Sequence, residues 1–171
     1  MLNQLKVINT FLLIFLASSM TSYLGATQAA SANETLEAPA KQNVSYEAKQ
    51  AILSEDLERA GKLIEAVLEK HPEDAESYRV AGDIYVTRAQ SASLFSAPGL
   101  AKKGLKSYLK SVELAPKNVR YRLNLLQYYM QAPSIVGGNK DKAIEQASKI
   151  KELNPLKGII AQGLIIRQMK T

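Results

Sequence analysis

Ala60-x3-Ile64-x2-Val67-x4-Pro72 sets a spacing that the chain uses three times, returning as Gly104-x3-Tyr108-x2-Ser111-x4-Pro116 and Ala143-x3-Ala147-x2-Ile150-x4-Pro155. Steps of four and three residues put the first three positions on one helical face. Ala60, Gly104 and Ala143 are small enough there to admit a close neighbouring helix. The proline then ends each helix, because it lacks an N–H and its ring clashes with the preceding turn. Three such units predict a stack of helical hairpins, an architecture that usually binds rather than catalyses.

A second pattern precedes the later two copies. Tyr78-x2-Ala81-Gly82-x2-Tyr85 is followed by the weaker Arg122-x2-Leu125-Leu126-x2-Tyr129, in which Arg122 stands for an aromatic and Leu126 for a small residue. Asp74 supplies an N-cap before the first of them. Together the two patterns resemble the tetratricopeptide repeat, a helix–turn–helix unit of about 34 residues. In that family helix A carries a bulky residue, leucine-glycine and tyrosine. Helix B carries small, aromatic and small residues before a turn proline. The resemblance covers about Tyr46 to the C-terminus. It implies an all-α fold over residues 45–171: a short right-handed α-solenoid of about three hairpins plus a C-terminal capping helix.

The first unit departs from the family, with Glu47-Ala48 for leucine-glycine and Ala51 for tyrosine in its helix A, Val44 to Leu53. Its helix B, Glu55 to Lys70, is clearer: Leu57, Ala60, Leu63, Ile64, Val67 and Leu68 form an apolar stripe. Lys157 to Lys170 reads as a last helix whose Ile159, Ile160, Leu164 and Ile165 cover the end of the stack.

The prolines lie 44 and 39 residues apart, so these units exceed the family period. The excess falls between Tyr85 and Gly104, then between Tyr129 and Ala143, and is expected to lengthen both A–B connections on one edge of the stack. Ser96-Ala97-Pro98-Gly99-Leu100 parallels Gln131-Ala132-Pro133-Ser134-Ile135, with proline suited to a first helical position. Gly137 and Gly138 supply a positive φ or a tight turn, and Asn139 caps the helix that follows. The pairing of an Ala-Pro with a Gly-Gly loop resembles a subset of exported bacterial tetratricopeptide proteins.

Two surfaces are candidates for function. On the family's register the groove is lined by Arg79, Asp83 and Val86, by Arg120, Leu123, Gln127 and Met130, and by Ser45 and Lys49, continued by Ile159, Gln162 and Ile166. Guanidinium beside aliphatic side chains suits an extended peptide with acidic groups, although a solvated helix face has the same composition. The second surface is the loop edge, with Leu94, Phe95, Pro98 and Leu100 in one turn and Pro133, Ile135 and Val136 in the other. These residues either meet a partner or a membrane, or pack onto their own hairpin tops. Lys102, Lys103, Lys106 and Lys110 form a basic side of helix B, readable as a solvated face or as a patch for anionic lipid.

Other function classes find little support. The 171 residues are 46% hydrophobic and 22% charged, the balance of a folded domain. The net charge of +6 permits an anionic partner, but the chain lacks the basic–aromatic platform of nucleic-acid binders. There is no cysteine, which excludes disulfides, thiolate metal sites and thiol catalysis. One histidine, His71, sits beside a turn proline and needs no catalytic role. Gly137-Gly138-Asn139-Lys140 lacks the spacing of a phosphate loop, and no hydrolase or zincin motif occurs. The expectation is no enzyme, no cofactor and no metal; oligomeric state is left open.

The N-terminus reads as an export signal. Lys6 precedes the apolar run Val7–Leu16, and small residues around Ala30-Ser31-Ala32 fit a cleavage site, with cuts after Ala29 or Ala26 also compatible. Residues 1–32 are thus expected to be a signal peptide and 33–44 a flexible linker. The uncharged stretch Val7–Leu24 also reaches the lower limit for a span, roughly 17–20 residues. The alternative is therefore an uncleaved anchor. Either version places the repeats beyond the membrane, periplasmic or secreted, with an envelope protein or peptide as partner.

Overall fold

The computed structural model describes residues 46–48, 50–51, 54 and 56–169. The signal peptide and linker, together with the groove positions Ser45 and Lys49, lie outside the described residues. Tyr46, Glu47, Ala48, Gln50 and Ala51 are helical, as expected of the first helix A. Six long helices follow: α1 (Leu57–Lys70), α2 (Ala75–Ser91), α3 (Ala97–Leu114), α4 (Val119–Gln131), α5 (Lys140–Leu153) and α6 (Pro155–Met169). A 3₁₀ turn, Ser134–Val136, interrupts the α4–α5 connection. No strand occurs among the described residues.

Each helix packs on the next, and α4 also touches α6, the contact order of a short α-solenoid. Side-chain caps start the helices: Asp74 accepts from the Ser77 amide at 3.2 Å, Asn118 from Arg120 at 3.0 Å and Asn139 from Lys142 at 2.9 Å. Ala60, Ile64 and Val67 of α1 share one core with Val80, Ala81 and Ile84 of α2, and Ala48 and Ala51 join them. The next hairpin closes where the Tyr108 ring of α3 fills the space left by Gly82, while Gly104 admits Val86. Leu126 and Ala147 occupy the matching positions of α4 and α5, both buried, with large and small exchanged between the helices.

Length is absorbed differently from expectation in the second unit. Only Ala92–Ser96 connects α2 to α3, because α3 begins at Ala97 and takes Pro98 into its first turn. First-turn amides have no intrahelical acceptor, so proline costs nothing there. The excess residues therefore extend the two helices to 17 and 18 residues instead of forming a long loop. Pro133 behaves otherwise, capping the 3₁₀ turn, and α5 starts seven residues later at Lys140. Gly137 adopts φ +100°, where a β-carbon is strained.

Candidate interaction surface

α2 presents Arg79 and Asp83 one turn apart. Arg79 is 6% exposed, and its guanidinium is clamped by acids of its own helix. Its Nε and Nη2 donate to Glu76 at 2.9 and 2.8 Å, and its Nη1 donates to Asp83. Asp83 in turn accepts from the Tyr108 hydroxyl at 2.7 Å and faces the Asn124 amide at 3.5 Å. Glu76 also receives the Arg120 guanidinium from α4. One polar network thus joins α2, α3 and α4. Burying the guanidinium among acids compensates its lost hydration and leaves little capacity for an outside carboxylate.

The remaining groove residues divide. Arg120 is exposed, resting 5.5 Å from the Tyr121 ring centroid. Leu123 and Gln127 are half-buried. Met130 is buried, and its carbonyl accepts from Gln168 of α6 at 3.4 Å. Val86 does not face a groove: it is buried against Gly104 inside the α2–α3 hairpin. Arg122, the departure from an aromatic, donates to the Gln146 side chain at 2.9 Å and the Pro116 carbonyl at 2.8 Å. It thus ties α4 to α5 and to the preceding turn.

The second hairpin turn packs onto the first turns of α3. The Tyr128 hydroxyl lies 2.9 Å from both the Ala101 and the Val136 carbonyl oxygens and shares its proton between them. Burial pushes that phenol up to about 12. Leu105 of α3 closes over Gly137, where an added β-carbon would lie 2.5 Å away. Val136 is buried, and Leu100 packs onto the first core, so these two serve the hairpins. Pro98 is half-buried and Pro133 exposed. Leu94, Phe95 and Ile135 point away from the fold, at 66%, 99% and 77% exposure. Among the described residues, no three His, Asp or Glu approach closely enough to hold a metal. No described helix is long and apolar enough to cross a membrane.

α6 departs from the expected cap. Gly158, Ala161 and Ile165 face inward and Leu164 is half-buried, but Ile159 and Ile160 are exposed, as are Leu156 and Ile166. The register explains this. Ile159-x2-Gln162-Gly163-x2-Ile166 repeats the spacing of Tyr78-x2-Ala81-Gly82-x2-Tyr85, so α6 is built as another helix A. Its inward residues match Ser77, Val80 and Ile84, while Gly163 matches Gly82, which receives Tyr108 of helix B, and Ile159 and Ile166 flank it. Ile159 and Ile166 therefore lie on the Gly163 side and do not continue the groove. The motif is present in the sequence, but its position after the last turn proline favours reading the helix as a terminal cap.

No family model matches this chain, and no curated protein sequence does. Solved structures do match in fold. A thermophilic TPR protein of Thermus thermophilus is 15% identical with a TM-score of 0.62, over 75% of this chain and 65% of that one. A mutant O-GlcNAc transferase of Thermobaculum terrenum is 20% identical with a TM-score of 0.53, over 72% of this chain and 21% of that one. The chain thus spans about two thirds of the first and a fifth of the second. At these identities the likeness establishes the fold: a tetratricopeptide-type helical repeat.

Proposed function

We propose that this chain is a non-catalytic interaction scaffold, exported to the cell envelope, that binds a protein partner at the edge formed by its two hairpin turns. The observation that carries this reading is the exposure of Leu94 and Phe95 in the α2–α3 turn and of Ile135 in the α4–α5 turn, which Tyr128 ties to α3. Large apolar groups on a rigid support are the usual anchors of a protein interface. The partner's surface is apolar and acidic. Residues 84–140 carry nine Lys or Arg (Arg88, Lys102, Lys103, Lys106, Lys110, Lys117, Arg120, Arg122 and Lys140) against one acid, Glu113. Of the groove residues, Arg79 is enclosed by Glu76 and Asp83, whereas Arg120, although paired with Glu76, stays exposed at the rim. Export rests on the N-terminal sequence alone.

The test is in-cell photocrosslinking from residue 95. A discrete adduct that disappears on Ile135→Asp, with melting temperature unchanged, supports the edge. Equal labelling in both, or none in either, rejects it. N-terminal sequencing separates export from anchoring: a mature chain starting near Ala30 or Asn33 rules out the uncleaved anchor, the alternative in which the chain is a membrane-tethered structural subunit.

A further inference from the structure

α6 carries two apolar faces on opposite sides. Gly158, Ala161 and Ile165 are buried against the preceding helices; a β-carbon on Gly158 would lie 2.4 Å from the Lys151 backbone. The opposite side holds Leu156, Ile159, Gly163 and Ile166, with Ile160 and the exposed Arg167 along its border. A helix that is apolar on two opposite sides has two faces to bury. Gly163 makes the requirement specific. Its counterpart Gly82 is filled by the Tyr108 ring of the following helix, whereas nothing lies within 4 Å of a β-carbon at Gly163.

We propose that a second copy of this chain occupies this face, two α6 helices packing antiparallel about a two-fold axis near Ala161. Leu156-x2-Ile159-x3-Gly163-x2-Ile166 steps by 3, 4 and 3, the same in either direction. A reversed copy therefore meets it in register: Ile159 of one copy seats at Gly163 of the other, and Leu156 opposes Ile166, each contact made twice. The glycine permits the close approach that a side chain there would block. With Leu153, the exposed apolar surface amounts to roughly 500 Å2 per copy, most of the ~800 Å2 per partner in a stable interface. Charge also distinguishes this occupant. Lys157, Arg167 and Lys170 are unaccompanied by any acid in residues 153–171, so self-pairing is indifferent to salt or strengthened by it. An acidic helix or an anionic bilayer would be released by salt. The proposal is independent of what the turn edge binds.

Sedimentation equilibrium of the purified chain, from micromolar to submillimolar, is expected to show a monomer–dimer equilibrium that salt does not weaken. Gly163→Gln raises helix propensity and meets nothing in the monomer, so it keeps or raises the melting temperature. It weakens the dimer about tenfold or more, the equivalent of one lost anchor contact. Because the chain has no cysteine, Ile159→Cys and Gly163→Cys variants mixed and oxidised report the register directly. The mixed disulfide outpaces either self-disulfide only if the two α carbons come within roughly 7 Å. A monomer at every concentration, a dimer indifferent to Gly163→Gln, or no preference for the mixed disulfide each overturns the proposal. A monomer that pellets with anionic vesicles would assign the face to a bilayer instead, and equally overturns it.

Discussion

Gly82 and the Tyr108 ring share one contact: a β-carbon on residue 82 would lie 2.4 Å from both Cδ1 and Cε1 of that ring. Gly82→Ala is therefore expected to destabilise the chain by about 2–3 kcal/mol in urea titrations, the cost of forcing an overpacked helix pair apart. Gly61 is the control. The nearest atoms to its β-carbon would belong to the Arg88 side chain, with Nη1 at 2.5 Å, and that side chain can swing aside. Gly61→Ala should be neutral or stabilising by up to about 1 kcal/mol, because alanine favours the helix.

The Asp83 carboxylate serves Arg79 and Tyr108 together. Asp83→Ala leaves a buried guanidinium short of one acid and the Tyr108 hydroxyl short of one acceptor, at an expected cost of about 3 kcal/mol. Asp83→Asn retains an acceptor for Tyr108 and is expected to lose roughly half as much. Equal losses in the two variants would show that charge, and not the hydrogen bond, dominates the network.

Alkaline pH should unfold the chain early. Burial, reinforced by a 2.8 Å hydrogen bond to Glu65, pushes the Tyr85 phenol up to about 12, and burial does the same for Tyr128. Both shifts favour the neutral phenol in the folded state. Their stabilisation is complete below the unfolded value of about 10 and is lost as pH rises from there through 12. Circular dichroism melts across that window should fall steeply. Tyr85→Phe should flatten the fall, and a slope unchanged by that substitution would mean the phenol is not the titrating group.

Stability and the turn edge should separate cleanly. Leu94→Ser, Phe95→Ser and Ile135→Ser remove exposed side chains and are expected to leave stability within about 0.5 kcal/mol while reducing binding of a hydrophobic dye. Gly138→Ala is the converse. Its β-carbon would lie 1.7 Å from the Ala132 carbonyl oxygen, so the turn must rearrange, at an expected cost of about 3 kcal/mol.

Much of this is legible in residues close in sequence. Turn prolines, the Asp74 and Asn139 caps and the small–large spacing of the helices are local signals, and local signals set where helices start and stop. Pro98 suits the first turn in which it sits, but the added residues between Tyr85 and Gly104 read as a longer connection, whereas they extend the two helices. Arg79 lies on the groove side of its helix by register, but its burial depends on Glu76 and Asp83 folding back onto it with Tyr108 and Arg120 arriving from other helices. Exposure of Phe95 and burial of Val136 are equally invisible, since two apolar loop residues look alike until the hairpins meet. Gly163 is the reverse case: its motif is present in the sequence, and only the emptiness around it reveals its use.

The Tyr128 hydroxyl, set between the Ala101 and Val136 carbonyls, also bears on the thermodynamics of recognition. Loops that are free in solution lose conformational entropy when a partner immobilises them, and the loss subtracts from affinity. Here the entropy is surrendered during folding, before any encounter. Association at this edge should accordingly resemble rigid docking, with rates set by collision and orientation instead of by rearrangement. If the edge binds as proposed, Tyr128→Phe should slow and weaken association while leaving Leu94, Phe95 and Ile135 unchanged.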